Sequence, residues 1–217
     1  MTRPSEPDDD RGPERCDVRT VGRKRDVSRN ADLCQAALEV LAEVGYDRLT
    51  VDIVAARVGA GKATVYRRWP SKAELVVEAV SRMKGAAEEP DTGSLRGDLE
   101  AIACGSVSMN DPFTTNVMAG LVSALVRDAD LRAVFLEHFV APRRQVLRDL
   151  FQRAVERGEI SPPSDIDLLI EVFPSMVFHR VITSGRPVDD DFARTVIDLI
   201  ILPLATGIPA CAPNTAR

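Results

Sequence analysis

LTVDIVAARVGAGKATVYRRWPSKAELV, residues 49–76, reads as short helical pieces separated by a break. Thr50 is a good N-cap for a helix over Val51–Val58, with Ile53, Val54 and Val58 as its apolar face. Gly59-Ala60-Gly61 breaks it. A helix over Lys62–Trp69 then places Val65 and Trp69, four apart, on an inward stripe and leaves Lys62 and Thr64 at its polar N-terminal end. Pro70 ends that helix, and Ser71 caps a further one over Lys72–Lys84. Two short helices joined by a tight glycine-containing turn are the parts of a helix-turn-helix.

Charge follows the same division. The whole chain of 217 residues is acidic, with a net charge of −5, yet residues 22–84 carry +4 and residues 85–217 carry −7. Arg57, Lys62, Arg67, Arg68 and Lys72 fall in one run without an acid among them. A basic module on an acidic body is the electrostatic footprint of a nucleic-acid reader, which the overall charge alone would hide.

Outward from the motif, Leu33, Ala37, Leu41 and Val44 recur at helical spacing, so a helix is expected from near Ser28 to a stop at Gly45. Residues 1–22 mix Pro, Gly, Asp and Arg without periodicity and read as a disordered arm. Residues 23–74 form the reading head, 75–207 a helical body, and 208–217 a flexible tail. Within the body, helices are expected at about 94–109, 112–127, 130–157, 165–184 and 189–206, with Pro142 and Pro174 kinking or splitting theirs. No segment alternates with period two for long, so the fold class is all-α.

Composition removes other classes. Four scattered cysteines without a C-x-x-C pair, and only two histidines, give neither a disulfide framework nor a multi-histidine metal site, and the thiols read as unpaired. No apolar run approaches a membrane span, and the N-terminus lacks the apolar core of a signal peptide, so a cytoplasmic protein is expected. There is no G-x-S-x-G, P-loop, dinucleotide fingerprint or H-E-x-x-H, so neither an enzyme nor a cofactor is expected.

The run Thr50, Val58-Gly59-Ala60-Gly61, Val65-Tyr66-Arg67-Arg68-Trp69 and Pro70-Ser71-Lys72-Ala73-Glu74-Leu75 closely resembles the DNA-binding segment of tetracycline-repressor-type (TetR) regulators, over about residues 28–80. The resemblance implies phosphate contacts from Thr50, Tyr66, Lys72 and Arg68, and base-edge contacts from Lys62, Thr64 and Arg67. The chemistry suits those roles: a capping hydroxyl, a phenol and point charges for phosphate, a lysine for guanine O6 or N7, and a threonine methyl for thymine. Many members carry Ser-Lys-Gly or Ser-Arg-Gly where this chain has Gly61-Lys62-Ala63, so the side-chain cap of the reading helix is absent and base preference does not transfer.

One short reading helix spans too few base pairs for specificity. A homodimer is therefore expected to present two of them about 34–36 Å apart to palindromic double-stranded DNA. The last two helices, apolar nearly all round, are the expected dimer interface, through Leu169, Phe173, Val177, Val181, Val196, Ile197, Ile200 and Ile201. The resemblance further implies a repressor released by a small apolar or amphipathic effector of unknown identity. Met109, Phe113, Val117, Met118, Leu121, Phe135, Phe139 and Met176 are its expected adaptable wall, with His138 and His179 as polar contacts. A constitutive helix-turn-helix protein without an effector is the alternative.

Overall fold

The computed structural model describes residues 19–105, 111–161 and 165–207, with side chains described from Arg29 onward except at residues 104 and 105. Residues 1–18 of the expected arm, Met109 and the tail from residue 208 lie outside these limits. The described residues are all-helical. They comprise α1 (Arg19–Arg48), α2 (Val51–Arg57), α3 (Lys62–Tyr66), α4 (Lys72–Lys84), α5 (Leu95–Gly105), α6 (Pro112–Leu125), α7 (Ala129–Phe135), α8 (Ala141–Glu156), α9 (Ile166–Phe178), α10 (Asp190–Val196) and α11 (Leu202–Ala205).

Capping chemistry sets most of the starts. Side-chain oxygens of Thr50, Ser71, Asp111, Asp128, Asp165 and Asp189 each accept from a backbone N–H three residues on. α1 differs from its expected start: it runs from Arg19, nine residues ahead of Ser28, and its helical geometry is broken at Gly45 as expected.

Three turns widen to π-helical geometry, at Leu136–Val140, His179–Thr183 and Ile197–Ile201. Two of them directly precede a proline turn. Pro142 and Pro203 each bring a ring against the carbonyl four residues back, at His138 and Leu199, in the middle of a wide turn. Opening the turn relieves that clash without ending the helix. Pro174, by contrast, sits inside α9 without splitting it.

Two cores result. The first joins Leu33, Ala37 and Leu41 of α1, Val54 of α2, Val65 of α3, Trp69, and Leu75, Val76, Ala79 and Val80 of α4 to Val117 and Leu121 of α6 and Leu131 of α7. It therefore crosses the 74/75 boundary drawn from the sequence. α6 lies along α1 and comes close to it at Gly120, where an added Cβ would stand 3.1 Å from the Leu41 carbonyl oxygen, a contact no larger residue fits without displacement. The second core joins Leu95 and Leu99 of α5, Phe151 and Ala154 of α8, Leu169 and Ile170 of α9, and Ala193, Val196, Ile197 and Ile201 near the C-terminus.

The segment 85–94 between α4 and α5 is pinned from α8. Arg153 pairs with Glu89 and donates 2.6 Å to the Pro90 carbonyl. Fully buried Asp98 accepts from the Thr92 amide at 2.6 Å, the Thr92 hydroxyl at 2.7 Å and Arg157 at 3.3 Å. Burial by itself would raise the Asp98 carboxyl; the bonds from Thr92 and Arg157 more than reverse this and hold it below its ordinary 3.8. Its contribution to stability is thus present above 3.8 and fades as the pH falls through the lower folded-state value. Asp98→Ala leaves Arg157 and Thr92 without their shared acceptor and is expected to cost about 3 kcal/mol in urea unfolding at neutral pH. The gap between wild type and variant should narrow as the pH is taken down to about 3.

Candidate nucleic-acid interface and body cavity

The reading head is assembled from buried anchors. Val65 and Trp69 hold α3 and the turn after it in the first core, fully or nearly fully buried. The Trp69 indole N–H donates 2.6 Å to Glu78 Oε2 on α4, and Glu78 Oε1 also accepts from Arg82 at 2.8 Å. Gly59 makes the turn with φ 62°, a left-handed backbone that favours glycine, and the Ala60 amide donates back to the Ala55 carbonyl at 2.8 Å. α2 buries Val51, Val54 and Ala55. Ile53, expected on that inner face, is turned outward and 44 % exposed: those three residues make up the one buried stripe of so short a helix, and Ile53 follows Asp52 onto the outer side.

α3 ends at Tyr66, shorter than the expected Lys62–Trp69, so Arg67 and Arg68 occupy the turn that follows. Gly61 supplies no side-chain cap, as its hydrogen-only side chain requires. Lys62, Tyr66 and Arg67 are exposed, whereas Thr64 and Arg68 are half-buried. Lys62 Nζ donates 2.9 Å to Asp52 Oδ2 across the turn and stands 5.8 Å from the Tyr66 ring centre. The Asp52 hydrogen bond holds the Lys62 ammonium above its ordinary value.

Thr50 uses its hydroxyl to cap α2, accepting from Ile53 N at 3.3 Å. Lys72 donates 3.0 Å to the Tyr46 carbonyl and lies 3.9 Å from the Tyr46 ring centre; burial lowers its ammonium. Arg57, also in the basic run, is turned away from this side by a two-pronged pair with Glu43 at 2.7 and 2.8 Å. The acid partners Asp52 and Glu43 were not singled out from the sequence. They lie 10 and 14 residues from their cations, beyond any helical i,i+4 rule.

The body holds a cavity of about 450 Å³, roofed by residues 84–90 and walled by α5, α8, α9 and the wide turn Ile197–Ile201. Its apolar surface includes Leu99, Ile102, Leu147, Phe151, Ile170 and Phe173, and Lys84, Glu88, Glu89 and Arg143 also line it.

Residues 33–79 match the model of the tetR family of bacterial regulatory proteins, and residues 89–200 match that of the tetracyclin repressor-like C-terminal domain. An uncharacterised HTH-type transcriptional regulator of Mycobacterium tuberculosis is 40% identical over 182 residues, covering 82% of this chain and 88% of its own. The chain belongs to the TetR family.

Further similar proteins extend over most of the chain. The DNA-binding transcriptional repressor TetR of Mycobacteroides abscessus is 35% identical over 83% of this chain and 95% of its own. A TetR family transcription regulator of known structure is 30% identical, with a TM-score of 0.57 over 82% of this chain and 94% of that one. FadR of Bacillus subtilis, solved in complex with stearoyl-CoA, shares the fold at 18% identity, with a TM-score of 0.60 over 82% and 98%. This TetR-family chain is therefore a helix-turn-helix, DNA-binding transcriptional regulator, and no helix among its described residues is long and apolar enough to cross a membrane.

The body residues named from the sequence are redistributed by the fold. None of the seven expected effector-wall residues that fall among the described residues lines the cavity. Val117 and Leu121 are fully buried in the first core, with Phe113, Met118, Phe135 and Phe139 packed against it, because α6 spends its apolar side on α1. Met176 packs on the second core, Met109 lies outside the described residues, and His138 and His179 are exposed away from the cavity lining. Of the expected dimer residues, Leu169, Val181, Val196, Ile197 and Ile201 are buried inside the protomer, while Phe173, Val177 and Ile200 are half-buried. Leu168, Phe178, Ile182, Leu199 and Leu204 are the large apolar residues that these same helices expose. A helix apolar all round does not reveal which stripe its own protomer covers.

Trp69→Phe keeps the ring in the core but deletes the donor to Glu78. It is expected to lower unfolding free energy by about 2 kcal/mol, measured by circular dichroism in urea.

Proposed function

We propose that this TetR-family regulator is a cytoplasmic repressor that binds a palindromic operator as a homodimer and is released by a small apolar or amphipathic effector. The reading rests chiefly on the solvent-facing ledge of Lys62, Tyr66 and Arg67, carried on the buried Val65–Trp69 anchor and free of any acid within its own helix.

In this reading Lys62, Thr64 and Arg67 meet base edges in the major groove, and Thr50, Tyr66, Lys72 and Arg68 meet phosphates. Lys62 exchanges Asp52 for a guanine edge, a small loss because both members of the pair are more than half exposed. Two heads are held in register by apolar residues left uncovered on each protomer. Leu168, Phe178 and Ile182 recur along one stripe of α9 and its wide turn, and Leu199 and Leu204 stand on the last helical stretch. Leu199 is 72 % exposed in the single chain, a poor place for leucine unless a second copy covers it. The cavity, within the roughly 300–1,000 Å³ of small-molecule sites, supports an effector, as does the stearoyl-CoA held by FadR of the same fold.

Band-shift assays on duplexes from the DNA flanking the gene test the reading head. Lys62→Ala is expected to weaken specific binding about ten-fold or more. Tyr66→Phe, which deletes one hydroxyl, should weaken binding to all sequences alike. Equal binding by wild type and Lys62→Ala would remove the assigned role.

Leu199→Glu tests the interface. Because the side chain is already outside the protomer core, the variant should keep the melting profile of a folded chain but sediment as a monomer and lose operator affinity at nanomolar concentration. A variant that still sediments as a dimer contradicts the assignment of this face.

A further inference from the structure

Five arginines stand along α8 and its C-cap, and four of them have carboxylate partners. Arg144 pairs with Glu171 at 3.1 Å, Arg148 with Asp167 at 2.6 Å, Arg153 with Glu89, and Arg157 with Asp98 and Glu159. Arg143 differs. It lines the cavity and is half-buried, and its bonds run to two carbonyls: Nη2 donates 2.7 Å to Gly85 O and Nη1 donates 3.0 Å to Phe139 O. Its guanidinium stacks 3.9 Å from the Phe139 ring centre.

The second cation at the cavity is Lys84, the last residue of α4. Burial lowers the affinity of both groups for their protons, and the charge of Arg143 lowers that of Lys84 further. Two like charges are thus held together beside an apolar wall. The carboxylates on the same rim do not relieve Arg143: Glu89 is engaged by Arg153, and Glu88 is exposed. A planar guanidinium bonded, among the described residues, only to neutral acceptors gains most from an oxyanion, since a charge-assisted pair is about twice as strong as a neutral hydrogen bond.

We propose that the cavity binds an amphipathic anion, an acyl chain ending in a carboxylate, with its head on Arg143 beside Lys84 and its chain along Leu99, Phe151 and Ile170. The same head group unlatches α4. Gly85 is the C-cap of that helix, and its carbonyl is tied to α8 through Arg143. A carboxylate that takes the guanidinium removes that tie. α4 runs 13 residues from this point to Ser71 and Lys72, beside the reading head, so its cavity end and its DNA end belong to one rigid element. The ligand shifts the equilibrium because it binds the unlatched state better. The inference deepens the effector reading above and rests on it.

The test titrates the full-length wild-type protein, below micelle formation, with decanoate, 1-decanol and decylammonium by isothermal calorimetry. Decanoate is expected to bind at least ten-fold more tightly than decanol. Arg143→Gln should erase that advantage while leaving decanol affinity unchanged. Hydrogen exchange at residues 82–90 should speed up when decanoate binds the wild type, and should already be fast in unliganded Arg143→Gln. Equal affinity for acid and alcohol, or a preference for the amine, overturns the anionic head while leaving an apolar effector site intact. Binding of none of the three overturns the cavity as an effector site together with this inference. Unchanged exchange on decanoate binding overturns the latch.

Discussion

α4 is the constraint on which the remaining architecture turns. Ala73, Leu75, Val76, Val77, Ala79 and Val80 bury it against α1 and α7, so it cannot be displaced without disturbing the first core. Its N-terminal end is fixed to the head by the Ser71 cap, by Lys72 on Tyr46, and by Glu78 gripping the Trp69 indole. Its C-terminal end leaves that core and, at Lys84 and Gly85, becomes the roof of a cavity belonging to the second. A helix that serves both cores is a mechanical link by construction, because packed interiors shift between discrete arrangements and do not deform smoothly.

The sequence made the head legible almost residue by residue because its constraints are local. Thr50, Gly45, Ser71 and the Lys72–Lys84 helix stand where capping and turn chemistry put them. Local rules failed where a short helix could turn either of two apolar residues inward, as at Ile53, or where the last turn depended on Trp69 reaching Glu78. In the body, element existence was legible and facing was not. Methionine and phenylalanine content pointed to the wall of a void, whereas Phe113, Met118, Phe135 and Phe139 pack against the first core, and Val117 and Leu121 lie within it where Gly120 lets α6 approach α1. Which face a uniformly apolar helix gives to its own chain is settled by tertiary packing alone.

Proline shows the same division between local signal and tertiary outcome. Pro142 and Pro174 both predict a disturbed helix, yet only the first stands beside a widened turn, and Pro203 joins it. Within and after the wide turn Ile197–Ile201, Ile197 and Ile201 stay in the second core and leucines 199 and 204 remain outside. That stretch thus carries both apolar residues that its own protomer covers and apolar residues that it leaves exposed.

The head's electrostatics are quieter than its residue count. Of the five cations between Arg57 and Lys72, Arg57 is committed to Glu43, Lys62 to Asp52, and Lys72 to the Tyr46 carbonyl and ring. Exposed pairs such as Lys62–Asp52 contribute at most about 1 kcal/mol and weaken with salt, so they do not prevent a phosphate-lined groove from taking the lysine. They do change what is gained when it does. Lys62, which must leave Asp52 before meeting DNA, carries less net attraction at long range and the same hydrogen-bond geometry at contact. With the base and phosphate contacts proposed above, a head arranged in this way would give up part of its indiscriminate pull on the backbone and keep its base contacts, which would shift the balance of binding from the phosphates, common to every sequence, toward the base edges that distinguish one.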